Sequence, residues 1–294
     1  MTGVSASAFA HTHNPTDYGP GATSARAMEA VLRSRLGTTA DRPLSSLAWG
    51  ATRRPRGAPR PHLCLVSHLA SRTPSATFLL RSYSYTGGSG CGAAPEAHEA
   101  GLASAGVRLA GESGLSLLDS LRATSAAPWY LEEVCVSKDL VTGEVFPAGR
   151  KPPDGAVTST LRLIDGGLSC NNPTDVAIHE ARLLFGRERP LLVVSVGTGS
   201  GTPTELAPHS YFPLWLQHVV NATGGVADTD ATVRHLLSGN DTYWRFHPVG
   251  DDFGCGLDDA RAETLNKLTL AADAYMDSQA GRVAQLAAAL VNRQ

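Results

Sequence analysis

Leu163-Ile164-Asp165-Gly166-Gly167-Leu168-Ser169-Cys170-Asn171-Asn172-Pro173 is the stretch on which the fold turns. A short apolar strand over 160–164 ends in one acid. Two glycines follow, and then an Asn pair and a proline suited to the cap and first turn of a helix over 174–185. Strand, turn and helix in that order are the repeating unit of a layered α/β domain. The residues alone give Asp165 two readings. It is a turn aspartate that accepts backbone N–H groups, or a base that takes the proton of a neighbouring hydroxyl.

Working outward, 24–36 carries apolar residues at 27, 28, 31, 32 and 36, one helical face, with Gly37 as its stop. Segments 62–67 and 77–83 read as strands. Segment 116–123 reads as a short helix with Leu117, Leu118 and Leu121 on one side. The apolar run 191–196 has the pattern of a strand buried on both faces. Segment 265–291 carries a helical pattern divided near Gly281. Between these lie an Arg/Pro-rich loop at 53–61 and two surface excursions, 83–112 and 141–159. Strands alternate with helices, so the class is α/β.

The chain has 294 residues, 42% of them hydrophobic, which suffices for one large domain or two small ones. A net charge of −2 and a pI near 6.5 give no nucleic-acid footprint. Cys64, Cys91, Cys135, Cys170 and Cys255 are dispersed without a C-x-x-C pair. That reads as reduced thiols of a cytosolic-type protein, not a disulfide framework or a zinc site. Residues 1–15 lack the basic and apolar regions of a signal peptide. No apolar run reaches the roughly 18 residues of a transmembrane helix, so the expected location is cytoplasmic or peripheral to a membrane.

Other stretches fall in a fixed order around Asp165. They are Arg122-Ala123-Thr124-Ser125-Ala126-Ala127-Pro128, Asn171-Asn172-Pro173 and Val194-Ser195-Val196-Gly197-Thr198-Gly199. Phe78-Leu79-Leu80-Arg81-Ser82-Tyr83 precedes them, and Tyr243-Trp244-Arg245-Phe246 and Gly256-Leu257-Asp258-Asp259 follow. In this order they resemble the patatin-like family of lipid acyl hydrolases, especially its phospholipase A-type branch, over residues 24–290. The resemblance implies a three-layer α/β/α sandwich with a mainly parallel sheet. It implies hydrolysis of acyl esters of phospholipids or other glycerolipids by a Ser-Asp dyad, with no catalytic His, no metal and no cofactor. A glycerolipid substrate and peripheral membrane contact are the implied partners, and nucleic acid is not among them. Asp165 is then the base, in a D-G-[GA] turn completed by Gly166 and Gly167. The serine would sit on a G-x-S-x-G elbow, and a G-G-G-x-R-G loop would offer backbone N–H groups to the oxyanion.

The chain departs from that pattern at the nucleophile. Neither G-x-S-x-G nor G-G-G-x-R-G occurs in its 294 residues. The near misses centre on Ser5, Ser89 and Ser113, and each lacks the closing glycine. Ser5 also lacks a preceding strand to present it. The expectation is a domain without its first part. Residues 1–23 are a loop-like remnant, 24–200 the C-terminal portion of the catalytic domain, and 201–294 a helical extension. The alternative is a non-catalytic lipid- or partner-binding remnant.

Three further features carry weaker readings. Leu192 to Gly201 is a strand followed by G-x-G-x-G, the form of a nucleotide- or methyl-donor-binding loop. Against it, Ser195 stands where such loops carry an acid, Pro203 stands where they enter a helix, and 217–223 holds no ribose-binding acid. Asp154-Gly155-Ala156 repeats the letters of the base motif without a strand before it and reads as a surface turn. Arg53, Arg54, Arg56 and Arg60 are a solvated basic loop or a contact for anionic headgroups, and Tyr211 to Leu216 is core or an acyl-chain wall. The ten His lack metal-ligand spacing. His11 and His13 share a loop, and His179-Glu180 lacks the second His of H-E-x-x-H.

Overall fold

The computed structural model describes residues 22–47, 61–83, 109–128, 130–146, 150–202, 226–237, 241–256 and 259–292. Ser5, Ser89, the arginines at 53–60, His11, His13 and the aromatic run 211–216 lie outside them. The chain divides between Asn171 and Asn172 into two compact units. That division falls inside the stretch 24–200 read above as one portion.

The first unit opens with α1 (Ala22–Leu36), which stops at Gly37 with φ +55°. Strands β1 (Cys64–Leu69) and β2 (Ala76–Arg81) follow as an antiparallel pair, and the short β3 (Gly111–Glu112) runs parallel to β2. Next come α2 (Leu117–Thr124), β4 (Val134–Asp139), β5 (Val145–Phe146), β6 (Thr158–Asp165) and the single-turn α3 (Gly167–Cys170). Ser116 caps α2: its hydroxyl accepts the Asp119 N–H at 3.0 Å. The strands form one six-stranded sheet in the order β3-β2-β1-β6-β4-β5.

That sheet is mixed, and the mainly parallel arrangement expected above is not found among the described strands. Within this sheet only β2–β3 is parallel; β1–β2, β1–β6, β4–β6 and β4–β5 are antiparallel. For β1–β2 and β4–β5 the reason lies in connection length. β1 and β2 are joined by 70–75 and β4 and β5 by 140–144. Links that short close hairpins, whereas a parallel pair needs a crossover of about a dozen residues or more. For the same reason 141–159 is not an excursion. It contains β5 and the start of β6, and Asp154–Gly155 turns between them as an exposed loop with Gly155 at φ +84°.

The sheet also curls. A flat sheet would hold β3 and β4 about 19 Å apart at roughly 4.8 Å per strand. Yet Lys138 on β4 pairs with Glu112 on β3 at 2.5 Å across the concave face. That face carries the core: Leu69, Phe78, Leu80, Val134, Val136, Leu161 and Leu163, closed by Leu44, Leu115, Leu117 and Ala123.

The second unit begins with α4 (Thr174–Phe185), bounded by Pro173 and by Gly186 at φ +90°. β7 (Leu192–Val196) and β8 (Thr242–Phe246) form a two-stranded parallel sheet. α5 (Val226–Leu236), α6 (Ala262–Ser278) and α7 (Ala280–Val291) follow among the described residues, the last two divided at Gln279, near Gly281 as expected. β7 was expected to be buried on both faces. Instead Ser195 is buried while Val194 and Val196 stand 43% and 76% exposed. One face of β7 is packed by a buried polar chain. The Arg245 guanidinium donates to the Ser195 hydroxyl at 2.7 Å, Ser195 and Thr174 share a hydrogen bond of 2.6 Å, and Thr174 donates to Asn172 Oδ1 at 2.6 Å.

Candidate active site

Asp165 is the last residue of β6, and two neighbouring segments hold it there, β1 and the end of α2. In the antiparallel register Ser67 of β1 stands opposite Asp165. The Ser67 hydroxyl, fully buried, donates to Ile164 O at 2.7 Å and to Ala123 O at 3.3 Å. The C-terminal end of α2 supplies the other side. Asp165 N–H donates to Ala126 O at 3.0 Å, and Gly166 N–H reaches Thr124 O at 3.5 Å. Thr124 in turn donates its hydroxyl to Val66 O at 2.5 Å. So the stretches 122–128 and 164–167, far apart in sequence, are one structural piece.

The glycines of the turn have different reasons. Gly166 has an ordinary backbone, φ −66° and ψ −23°. What it lacks is room: a Cβ there would lie 2.2 Å from Val66 O. Gly167 donates its N–H to Asp165 Oδ1 at 2.7 Å, and a Cβ on it would come within 3.0 Å of the same oxygen.

The carboxyl is partly buried. Burial pushes its pKa above the usual carboxylate range, and the Gly167 N–H draws it partly back. One oxygen is anchored by that N–H. Among the described residues no other hydrogen bond reaches the side chain. Chemically this is an oriented carboxyl with a raised proton affinity and one oxygen open to accept a proton.

The nearby hydroxyls are already engaged. Ser67, Thr124, Ser125 and Ser169 each donate to a backbone carbonyl. Ser113 follows the edge strand β3, and β2 and β1 separate that strand from β6. The structure does not bring it to Asp165.

The glycine loop after β7 is packed by its own unit. A Cβ on Gly197 would fall 2.1 Å from His247 Nδ1, and one on Gly199 2.9 Å from the Phe253 ring. Gly199 needs its φ of +85°, and Ser200 is bridged in parallel to Val249. These glycines serve close contact with 246–254. Among the described residues no group of three or more His, Cys, Asp or Glu is placed to hold a metal ion. No described helix is long and apolar enough to cross a membrane.

Sequence reasoning placed Asp165 at a strand end before a glycine turn, and the structure has it there. It did not find the β1 wall, Val66 and Ser67, or the role of the Thr124 and Ala126 carbonyls. Ser67 at the alternate position between Leu65 and Leu69 in β1 was the available signal.

No protein-family model matches the chain. Curated relatives do. Calcium-independent phospholipase A2-gamma of Oryctolagus cuniculus is 27% identical over 263 residues, 88% of this chain and 27% of that protein. The Homo sapiens protein of the same name is 26% identical over 263 residues, with the same shares. Phospholipase A I of Arabidopsis thaliana is 27% identical over 235 residues, 74% of this chain and 16% of that protein. The chain thus spans about a quarter or less of the length of these relatives. The chain's α/β class is consistent with a patatin-like fold, and over 74–88% of its length its curated homologues are patatin-like phospholipases.

Proposed function

We propose that this chain carries the acid half of a lipid acyl hydrolase site, one that cleaves acyl esters of phospholipids or other glycerolipids. Asp165 is the base of a Ser-Asp dyad. The observation that carries the reading is the half-buried carboxyl at the end of β6, with one oxygen anchored by Gly167 N–H and its pKa raised by burial. A base of that kind takes the serine proton as the hydroxyl attacks the ester carbonyl. It returns the proton to the departing alcohol. No described hydroxyl fills the serine role. Peripheral contact with a lipid surface belongs to the same reading.

A second reading has one observation in its favour, the absence of G-x-S-x-G from the 294 residues. Under it the chain binds lipid or a partner without catalysis.

The test is hydrolysis of a short-chain chromogenic ester and of phospholipid vesicles by the purified chain beside Asp165→Asn. A rate that falls on the order of 10²–10⁴-fold in the variant supports the dyad, and Ser5 and Ser89 are then substituted in turn. A rate the variant leaves unchanged removes Asp165 as base. Silence from both proteins favours the binding reading for this chain by itself.

A further inference from the structure

The curl of the six-stranded sheet leaves a cavity of about 290 Å³ at the end of the concave face away from Asp165. Its apolar wall is Phe78 and Leu161, both members of the core, with Leu140 at the mouth and 60% exposed. Ser159 adds a hydroxyl. Two cations border it, Arg72 and Lys138. Lys138 is paired with Glu112. Arg72, exposed in the β1–β2 turn, has no ion pair among the described residues. The cavity therefore has an apolar floor and a rim with one positive charge in excess.

We propose that this cavity binds a single-tailed amphiphilic monoanion, a fatty-acid-type carboxylate, with its tail on Phe78 and Leu161 and its head at Arg72 and Lys138. The volume is near the lower bound, about 300 Å³, of small-molecule pockets. A neutral tail would use the floor and leave Arg72 idle. A small anion would use Arg72 and leave the floor wet. Only a ligand with both parts uses both features. The site is distinct from the carboxyl described above: Ser159 and Leu161 lie on the same strand roughly 13–20 Å from Asp165, at about 3.3 Å per residue. Fully buried Leu163 stands between them. The inference assigns no role to Asp165.

The experiment is calorimetric titration of the whole chain with decanoate below its micelle concentration. Decanol and acetate are the comparison ligands. Arg72→Glu and Leu140→Asp are the variants, both at exposed positions, and Asp165→Asn is the control. The expected result is saturable one-to-one binding of decanoate, weaker binding of decanol and none of acetate. Arg72→Glu should weaken decanoate at least about tenfold, the factor one charge-assisted contact supplies. Leu140→Asp should weaken it as well. No decanoate binding overturns the proposal. So does equal affinity for decanol, or affinity that both variants leave unchanged. Loss of binding in Asp165→Asn would also overturn it, by placing the ligand at that carboxyl.

Discussion

A methyl group at Gly166 would fall 2.2 Å from the Val66 carbonyl oxygen, while at Gly167 it would meet a carboxylate oxygen at 3.0 Å. The first contact is with backbone in mid-sheet; the second is with a side chain that can turn. Gly166→Ala should therefore cost about 1–3 kcal/mol, as overpacking does, and Gly167→Ala distinctly less. Urea unfolding measures both, and equal losses would contradict the crowding at Val66. Asp165 itself makes a pH-dependent prediction. Burial raises its folded pKa, so the fold favours the protonated form. The stability linked to it is complete below the unfolded value of about 3.9 and is lost as pH rises through the folded pKa. Asp165→Asn keeps the Gly167 contact and removes the charge, so the variant should melt higher than the parent at pH 7. The gap should close as pH falls below the ordinary carboxylate range, and a gap constant with pH would count against the raised pKa. At this scale the position of Asp165 was legible because an apolar run followed by Asp and two glycines marks a strand end and its turn. Its supports were not, because Ser67 and Ala126 meet it only through folding and no spacing along the chain marks them.

At the scale of elements, α2 depends on the residue that caps it. Ser116 accepts the Asp119 N–H and donates to the Asp119 carboxylate at 2.7 Å. Ser116→Ala should lower stability by about 1 kcal/mol, read from the same urea curves, while Ser116→Asp should recover most of it. An unaffected alanine variant would mean the cap contributes nothing. Element legibility followed punctuation. α4 was readable to its ends because Pro173 starts it and Gly186 stops it. β4 went unread although Val134 and Val136 alternate with partly exposed Cys135 and Ser137. That run is short, and alternation over so few residues is faint. α5 went unread for a related reason: Val233 is its only buried residue, so little apolar periodicity exists to see. The turn residues at 141–159 were seen, but a hairpin and a loose excursion share the same Gly and Pro signals.

Across the whole molecule, strand direction was the feature the sequence held least openly. Apolar runs reveal strands but not their sense; connection length does, and only once neighbours are known. The resemblance named the α/β class, and among the described strands the sheet is mixed. The division at Asn171/Asn172 yields a prediction of its own. Gly166→Ala should speed amide hydrogen exchange in β1, β6 and α2 while leaving β7 and β8 as they were, because the polar chain from Arg245 to Asn172 lies wholly in the second unit. Exchange accelerated equally in both sheets would show that they open together. The clasp around Asp165 carries a lesson for protein engineers. The Thr124 carbonyl at the end of α2 and the Ala126 carbonyl just beyond it accept the N–H groups of the turn, and the β1 carbonyl at Val66 sets how small that turn must be. The portable module is thus 66–67, 123–126 and 164–167 moved together. A designer who transplants only Asp165-Gly166-Gly167 into a new scaffold will obtain a flexible surface acid with an ordinary titration, and one who moves all three segments will bring the perturbed proton affinity along.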